Sequence, residues 1–489
     1  MKKTRTEQQR LLAVSETAKR EREVEARWAW TEPAVWTERM VDALERGVKG
    51  GKWHSLIDKV YADRTLGAAW RRVERNGGSG GVDGERIRDF KRKAGKRLSS
   101  LSVQLRVDQY EPMAIRRVYI PKLGSHELRP LGIPTIRDRV VQTALRSVIE
   151  PIFERDFSDN SYGFRPGRST KDALRRVEGM LAEGRTWVVD VDITRYFDTI
   201  PHSNLMTEIE KKIADGRVLE LIEKYLRQDV LEATPSFETA DRTGTPQGAV
   251  ISPLLANIYL HPIDVVMEGE GYKMVRYADD CVVLCTTQEE AERAMNRLRE
   301  LMEGRGLRLH PEKTKIVDAN APGGFDFLGY HFEQGKRSPR KKSLRKLKDT
   351  IRERTRRANG HTLSKIIEMI NSVLRGWFEY FKHCRRRVFT TLDAWIRQRL
   401  RSILRARRGG RGRARGADHQ RWSNAFFRQL GLFTMSEAHA LLIRSLHETH
   451  RLESRMREIR TYGSEGGGAH QLLLPLYTRR PNALVSTSP

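Results

Sequence analysis

Two short acidic stretches carry the residues best suited to chemistry in this sequence. In "VRYADDCVV", Val275 to Val283, the adjacent carboxylates Asp279 and Asp280 interrupt a run of apolar residues. In "TWVVDVDITRYFDTIPH", Thr186 to His202, Asp190 and Asp192 alternate with Val189, Val191 and Ile193. Strand side chains point alternately to opposite faces, so the second stretch reads as a strand with one apolar face and two acids on the other. Each stretch has a plain alternative. Paired Asp residues are common in turns, and an acidic strand face can simply meet solvent. Read together they suggest more, because pairing of the two strands would bring Asp192, Asp279 and Asp280 together. Clustered carboxylates repel one another, and a hard divalent cation relieves that repulsion. Mg2+ takes oxygen ligands, typically one or two carboxylates plus substrate phosphates. Two such ions about 3.5–4 Å apart can activate an attacking hydroxyl and stabilise a leaving oxygen in phosphoryl transfer.

The remainder of the chain has to position these acids and hold a phosphate-bearing substrate. Its 489 residues are too many for one core, and the length predicts roughly two to four domains. Lys and Arg number 91 against 63 Asp and Glu, a formal net charge of +28. Such an excess points to a polyanion, either nucleic acid or an anionic membrane. No apolar run approaches the roughly 18 residues needed to cross a bilayer. The start, "MKKTRTEQQRLLAVSETAKREREVE", lacks the apolar stretch of a secretory signal. Nucleic acid is therefore the expected partner, with no membrane. Three cysteines, Cys281, Cys285 and Cys384, occur without a CxxC pair or zinc spacing, which fits a reducing cytosol. Cys281 and Cys285 read as packing residues on one side of a strand.

The positioning elements follow from composition and period. A polar, charged arm of about 25 residues precedes short helices that begin near Trp28. "RNGGSGGVDG", Arg75 to Gly84, is a glycine-rich loop able to present backbone N–H groups to phosphate. It matches neither of the common nucleotide-binding glycine motifs. From Val118 to about Phe332, strands and helices alternate as in an α+β domain. "KRSPRKKSLRKLK", Lys336 to Lys348, carries eight basic residues in thirteen. Leu344, Leu347 and Ile351 keep helical spacing beneath them, predicting a basic-faced helix. Further amphipathic helices follow, then a break at "RRGGRGRARGADHQ", then "RWSNAFFRQLGLFTMSEAHALLIRSL" and a loose tail from about Gly463.

Several motifs, in order, resemble those of reverse transcriptases. The "YADD" tetrad, Tyr277 to Asp280, resembles the YxDD hairpin, and "DITRYFD", Asp192 to Asp198, resembles the first palm motif. "GTPQGAVISPLLANIYL" is similar to the next palm block, while "RRVYIPKLGSHELRPLGIPTIRDRVVQ" and "SYGFRPGRST" resemble the fingers. "LRLHPEKTKIV" and "FDFLGY" match later blocks, "RNGGSGGVDG" the extra N-terminal block, and "LRGWFEYF" with "LDAWIRQRLR" the thumb/maturase domain. Over roughly Trp28 to Leu446 the chain is identified as a member of the bacterial group II intron-encoded reverse transcriptase/maturases.

The resemblance implies a right-hand polymerase of α+β class, with fingers and palm around a small antiparallel sheet, followed by an α-helical thumb/maturase domain. The implied divisions are a basic N-terminal extension (1–74), fingers and palm (75–335), thumb/maturase (336–410) and a basic C-terminal segment (411–489), a DNA-binding appendage or packing domain. It implies Asp192 and Asp279 as the main Mg2+ ligands, with Asp280 as third catalytic acid and Ile193 in the metal set. Asp190 falls outside the motif, and Asp198 supports the strand end. Phe197 matches the ring beneath the incoming sugar that excludes a 2′-hydroxyl. Lys122 and Arg129 would grip the triphosphate, and Gln247 and Lys313 would sit near the nucleotide. Pro246, Gly248 and Tyr277 would lie along template and primer. Lys341, Lys342, Arg345, Arg375, Arg385 and Arg386 would contact RNA, whereas Trp377 and Phe381 are expected to pack.

The implied activity is RNA-directed DNA synthesis from dNTPs with two Mg2+ ions, Mn2+ being able to substitute. The implied partners are the parent intron RNA, an RNA template and a DNA primer or target. Binding the intron would promote splicing and retrotransposition. The absence of cysteine after Cys384 resembles the branch lacking the HNH endonuclease. The expected location is the bacterial cytoplasm, with association to the nucleoid during action on DNA. Two other readings use the same residues: an RNA-binding maturase that has lost polymerase use, and a relative serving a CRISPR-associated or diversity-generating system. Neither residues nor resemblance sets an oligomeric state.

Overall fold

The computed structural model describes residues 23–121, 128–231, 243–356, 360–445 and 448. The chain divides into two compact units, Met1–Thr350 and Ile351–Pro489. The first is mixed α+β and the second helical over its described residues.

In the first unit, helix α1 (Asp63–Asn76) packs on the long helix α2 (Ile136–Glu154). Between them in sequence, β1 (Ile115–Pro121) pairs antiparallel with β2 (Leu128–Ile133) and parallel with the short β4 (Val230–Leu231). Helix α2 opens at a Thr135 cap whose side chain accepts the Asp138 backbone N–H at 3.3 Å. It is buried along most of its length because it runs through the core rather than along a surface.

The sheet that carries the acidic stretches has the order β5-β6-β3-β7 and is antiparallel throughout. Its strands are β3 (Trp187–Val191), β5 (Lys273–Tyr277), β6 (Asp280–Cys285) and β7 (Lys315–Asp318). Val189, Val191, Cys281, Val283 and Cys285 join the main core. Helices α5 (Ser252–Gly269) and α6 (Gln288–Glu303) pack on this sheet. Two further helices precede these in the chain, α3 (Thr170–Ala182) and the short α4 (Tyr196–Thr199).

The expectation of one apolar face on β3 needs correction. Val188 and its neighbours Val282 and Leu284 share the Asp190 face and are fully buried. A second sheet covers that side, ordered β10-β9-β8, with β8 (Phe325–Phe327), β9 (Tyr330–Glu333) and β10 (Lys336–Pro339). The acid-bearing face is thus a covered interface, not a solvated one. The basic run Lys336–Lys348 is corrected by the same sheet: its first residues pair with β9, and helix α7 begins only at Lys341. Pro339 lacks an N–H for a helix interior but is tolerated at a strand end.

Helix α7 (Lys341–Arg354) spans the division between the units. In the second unit, α8 (Leu363–Phe381) buries Ile366, Ile370, Leu374 and Phe378 at four-residue steps. Helix α9 (Arg386–Arg407) buries Phe389, Leu392, Ile396, Leu400 and Ile403, and both faces show the apolar stripe of core-facing helices. Trp377 packs against Phe381 at 4.6 Å and Phe389 at 6.3 Å, as expected for packing residues. The short α10 (Asn424–Gln429) follows, and Asp393 accepts backbone N–H groups from Met435 (3.1 Å) and Ser436 (2.9 Å) at the start of helix 435–445. Among the described residues, no helix is long and apolar enough to cross a membrane.

Candidate active site

Tyr277 and Asp280 are cross-strand partners, so the β5–β6 hairpin turns through just Ala278 and Asp279. Such tight loops favour positive φ in their central residues, and Ala278 adopts φ +61. The turn therefore projects Asp279 beyond the sheet. On β3 the register pairs Val191 with Cys281, which places Asp192 at the adjoining strand end, one step further on. Three contacts fix its backbone: His310 donates its N–H to the Asp192 carbonyl at 2.7 Å, and Thr314 Oγ1 exchanges 3.3 Å bonds with the Asp192 N–H and carbonyl.

The electrostatics separate the four acids. Burial raises the Asp279 carboxyl above its ordinary range, the Asp192 charge adds to this, and Arg129 and Arg276 oppose it. Burial pushes Asp280 up to about 7, with the charges of Asp190 and Asp279 adding and the Leu328 backbone N–H opposing. Burial likewise lifts Asp190 to about 6, against the pull of Lys315. Asp192 is the open one, its side chain 45% exposed and paired with Lys313 Nζ at 3.2 Å. The register places Asp192 and the Asp279 turn at the same end of the sheet, while Asp280 lies on the Asp190 face beside the β8–β9 turn. Among the described residues, no three His, Cys, Asp or Glu side chains form a ready-made metal cage. A pair of carboxylates at an open edge suits a hard cation whose shell is completed by substrate phosphate.

Strand β2 faces this edge. Arg129 on β2 donates Nε–H to Gln247 Oε1 at 3.1 Å, and its charge acts on both Asp279 and Asp198. Gly132 donates its N–H to the Gln247 carbonyl at 2.6 Å. Gly248, at φ +109, lies so close to β2 that an added Cβ would sit 2.3 Å from the Gly132 carbonyl, so side chains are excluded there. Pro246 lies against the same strand. Phe197, on α4, is 8% exposed and packs edge-on to Tyr196, with its carbonyl accepting the Thr245 N–H. Ile193 is buried and bridges to Leu309. Lys122 lies outside the described residues. In the first unit Lys341, Lys342 and Arg345 are exposed on α7. In the second, Arg375, Arg385 and Arg386 are exposed, with Arg375 4.7 Å over the Phe433 ring.

Sequence reasoning missed what lies beside and behind the hairpin. Phe164 is 47% exposed at φ +59, with its ring 6.5 Å from that of Tyr277. Gly163 carries the turn directly: a Cβ there would come within 2.2 Å of the Ala278 nitrogen. Arg276, immediately before the tetrad, is 2% exposed and bonded to Asp264 and Asn257 of α5. An arginine inside an apolar strand was the available signal, since a buried guanidinium demands partners.

Comparison with known proteins places the chain in a family. Residues 120–332 match the reverse transcriptase (RNA-dependent DNA polymerase) family, and residues 344–422 match the group II intron, maturase-specific domain. Protein YkfC of Escherichia coli K12 is 34% identical over 344 residues, covering 62% of this chain and 85% of that protein. The group II intron-encoded protein LtrA of Lactococcus lactis subsp. cremoris is 37% identical over 224 residues, 45% of this chain but only 36% of LtrA. Nuclear intron maturase 1 of Arabidopsis thaliana is 27% identical over 313 residues, 53% of this chain and 42% of its own length. With the acidic hairpin, the facing fingers strand and both domains in series, this chain belongs to the family of group II intron-encoded reverse transcriptase/maturases.

Proposed function

We propose that Asp192 and Asp279 form the reacting centre of this reverse transcriptase and hold two Mg2+ ions there, with Asp280 as the supporting acid. The observation that carries this is the meeting of the β3 end with the β5–β6 turn at an open edge facing Arg129. Bound there, the ions would polarise the α-phosphate of a dNTP and the primer 3′-hydroxyl. The chain's own residues do the rest. Asp192 and Asp279 supply the carboxylate oxygens. Arg129, bonded through Nε to Gln247, offers its planar donor fork to the triphosphate. Lys313, now on Asp192, is placed to pass its charge to the nucleotide. Phe197 walls the site from the core side and selects against a 2′-hydroxyl. Tyr277, beside Phe164, lines the path of the primer end. Lys122 completes the triphosphate grip, and Pro246 and Gly248 border the template.

Asp280 acts mainly by holding the hairpin against the β8–β9 turn, because its carboxylate already accepts the Leu328 N–H. The second role, binding the parent intron RNA, draws on Lys341, Lys342 and Arg345 in one unit and Arg375, Arg385 and Arg386 in the other. Arg386 and Arg387 open helix α9, where the helix dipole is positive and the first turn carries no acidic residue. Basic residues there gain nothing from the helix and suit a phosphate backbone.

The test is extension of a DNA primer on an RNA template with Mg2+, comparing dNTPs with rNTPs. Expected is dNTP-dependent extension, with Phe197→Ala admitting rNTPs. RNA binding without extension under any metal would leave the maturase role alone.

A further inference from the structure

Behind the acidic hairpin lies a buried polar cluster that the reaction itself does not use. The register puts Arg276 opposite Cys281, on the core face of the sheet and turned away from Asp280. Its guanidinium is fully enclosed, and each arm has a partner. Nε donates to Asp264 Oδ1 at 2.7 Å and Nη2 donates to Asp264 Oδ2, a two-pronged pair. Nη1 donates to Asn257 Oδ1 at 3.0 Å and to the Ala278 carbonyl at 2.9 Å. Asn257 in turn donates its Nδ2 to the Gly163 carbonyl at 2.8 Å. Asp264 and Asn257 lie seven residues apart, on one face of α5, and are 3% and 2% exposed.

The contact with Ala278 is the informative one. Its carbonyl belongs to the peptide that joins Ala278 to Asp279, so holding that oxygen fixes the plane from which Asp279 departs. Ala278 sits at φ +61, a conformation alanine seldom adopts and which persists only when its surroundings determine it. The surroundings do so from two sides. Arg276 N–H donates to the Asn160 carbonyl at 2.9 Å, and Tyr162 N–H donates to the Arg276 carbonyl at 2.8 Å, tying the 160–163 segment alongside β5. Gly163 then fills the space under the turn. Apolar packing could supply stability here without any charge. It could not hold one carbonyl in one direction.

We propose, resting on the polymerase reading above, that Arg276, Asp264 and Asn257 are positioning residues that lock the Ala278–Asp279 peptide and so deliver Asp279 to Asp192. None of the three touches the substrate.

The experiment uses the full chain with Asp264→Asn, Asn257→Ala and Arg276→Lys. Four quantities are read: kcat and dNTP KM at saturating template–primer, template–primer Kd without metal, Mn2+ affinity of the free protein by electron paramagnetic resonance, and the thermal midpoint. Small displacements of reacting groups cost about a hundredfold, so Asp264→Asn should lose about 10–100-fold in kcat and bind Mn2+ more weakly. Its template–primer Kd should stay within about twofold, since phosphate contacts dominate that affinity. Asn257→Ala should follow with a smaller loss. Arg276→Lys should fail to rescue, because an ammonium lacks the fork. A folded Asn257→Ala with unchanged kcat and Mn2+ affinity overturns the proposal, and so does an Asp264→Asn whose kcat and template–primer affinity fall together. If Asp264→Asn does not fold, Asn257→Ala decides. A wild-type chain that extends no primer refutes the polymerase reading instead, and the Mn2+ comparison still judges the clamp.

Discussion

Arg276 and Asp280 lie four residues apart on one hairpin and point to opposite faces, and the protein treats their charges in opposite ways. Arg276 is enclosed by Asp264, Asn257 and a backbone carbonyl, so its charge is balanced within the chain. Asp280 lies beside Asp190, and burial lifts both carboxyls well above the ordinary range, against the pull of Lys315 at Asp190 and Arg340 at Asp280. At the turn between these faces lie Asp279 and Asp192, where Lys313 pairs with Asp192 and the Arg129 charge acts on Asp279. A charge satisfied inside the fold fixes backbone direction. A charge left in surplus at an open edge creates affinity for a cation from outside. The hairpin uses the first to aim the second.

The sharpest way to break this contrast is at the surplus charge. Asp279→Asn should lower primer extension by about a thousandfold or more while leaving RNA binding by filter retention within about twofold. A variant retaining a tenth of the wild-type rate would move the reacting centre elsewhere. Next comes the balanced side. Arg276→Met strands the Asp264 carboxylate and should cost about 3–5 kcal/mol in urea unfolding, whereas Arg276→Met with Asp264→Leu should recover much of it. Equal losses in the single and double variants would show that the two residues do not act as a pair.

A smaller effect is expected where Lys313 competes with an incoming ion. The pair is well exposed and worth at most about 1 kcal/mol, so Lys313→Ala should tighten Mn2+ binding without nucleotide by about three- to fivefold. Unchanged or weaker binding would remove Lys313 from the charge balance. The smallest effect concerns pH on the Asp280 face. A carboxyl whose folded value lies above its unfolded value of about 4 binds its proton more tightly when folded. Its stabilisation is therefore complete below about pH 4 and fades as pH rises toward the folded values of about 6 and about 7. In EDTA, the wild-type thermal midpoint should fall between pH 4 and 7, and Asp280→Asn should flatten that fall by roughly 2–4 °C. Parallel profiles for the two proteins would contradict the assignment.

Much of the fold is legible in the sequence. Period-two alternation marked β3 and β6, and two Asp residues between apolar runs marked the hairpin. The ordered motifs named the other candidate residues, from Arg129 to Lys313. What failed did so for a common reason. Lys336–Pro339 was absorbed into a basic helix because its charge masked a strand whose pairing partner, β9, is only visible in three dimensions. That Val188 on the Asp190 face is buried has no local signature, because β8, which covers it, lies far along the chain. Phe164 and Gly163 carried no periodic signal at all, since their roles depend on the hairpin that lies against them.

By itself the sequence determined the chemistry: carboxylates on two strands, a basic surface for a phosphate polymer, and the order of blocks that assigns the family. These follow from residue type and local period, which need no partner. The tertiary structure alone decided which acids face the open edge, that Asp280 turns to Asp190 and the β8–β9 turn, and that Arg276 reaches Asp264 and Asn257 through the core. Those outcomes depend on register and on burial, and burial is a property of the assembled fold rather than of any segment.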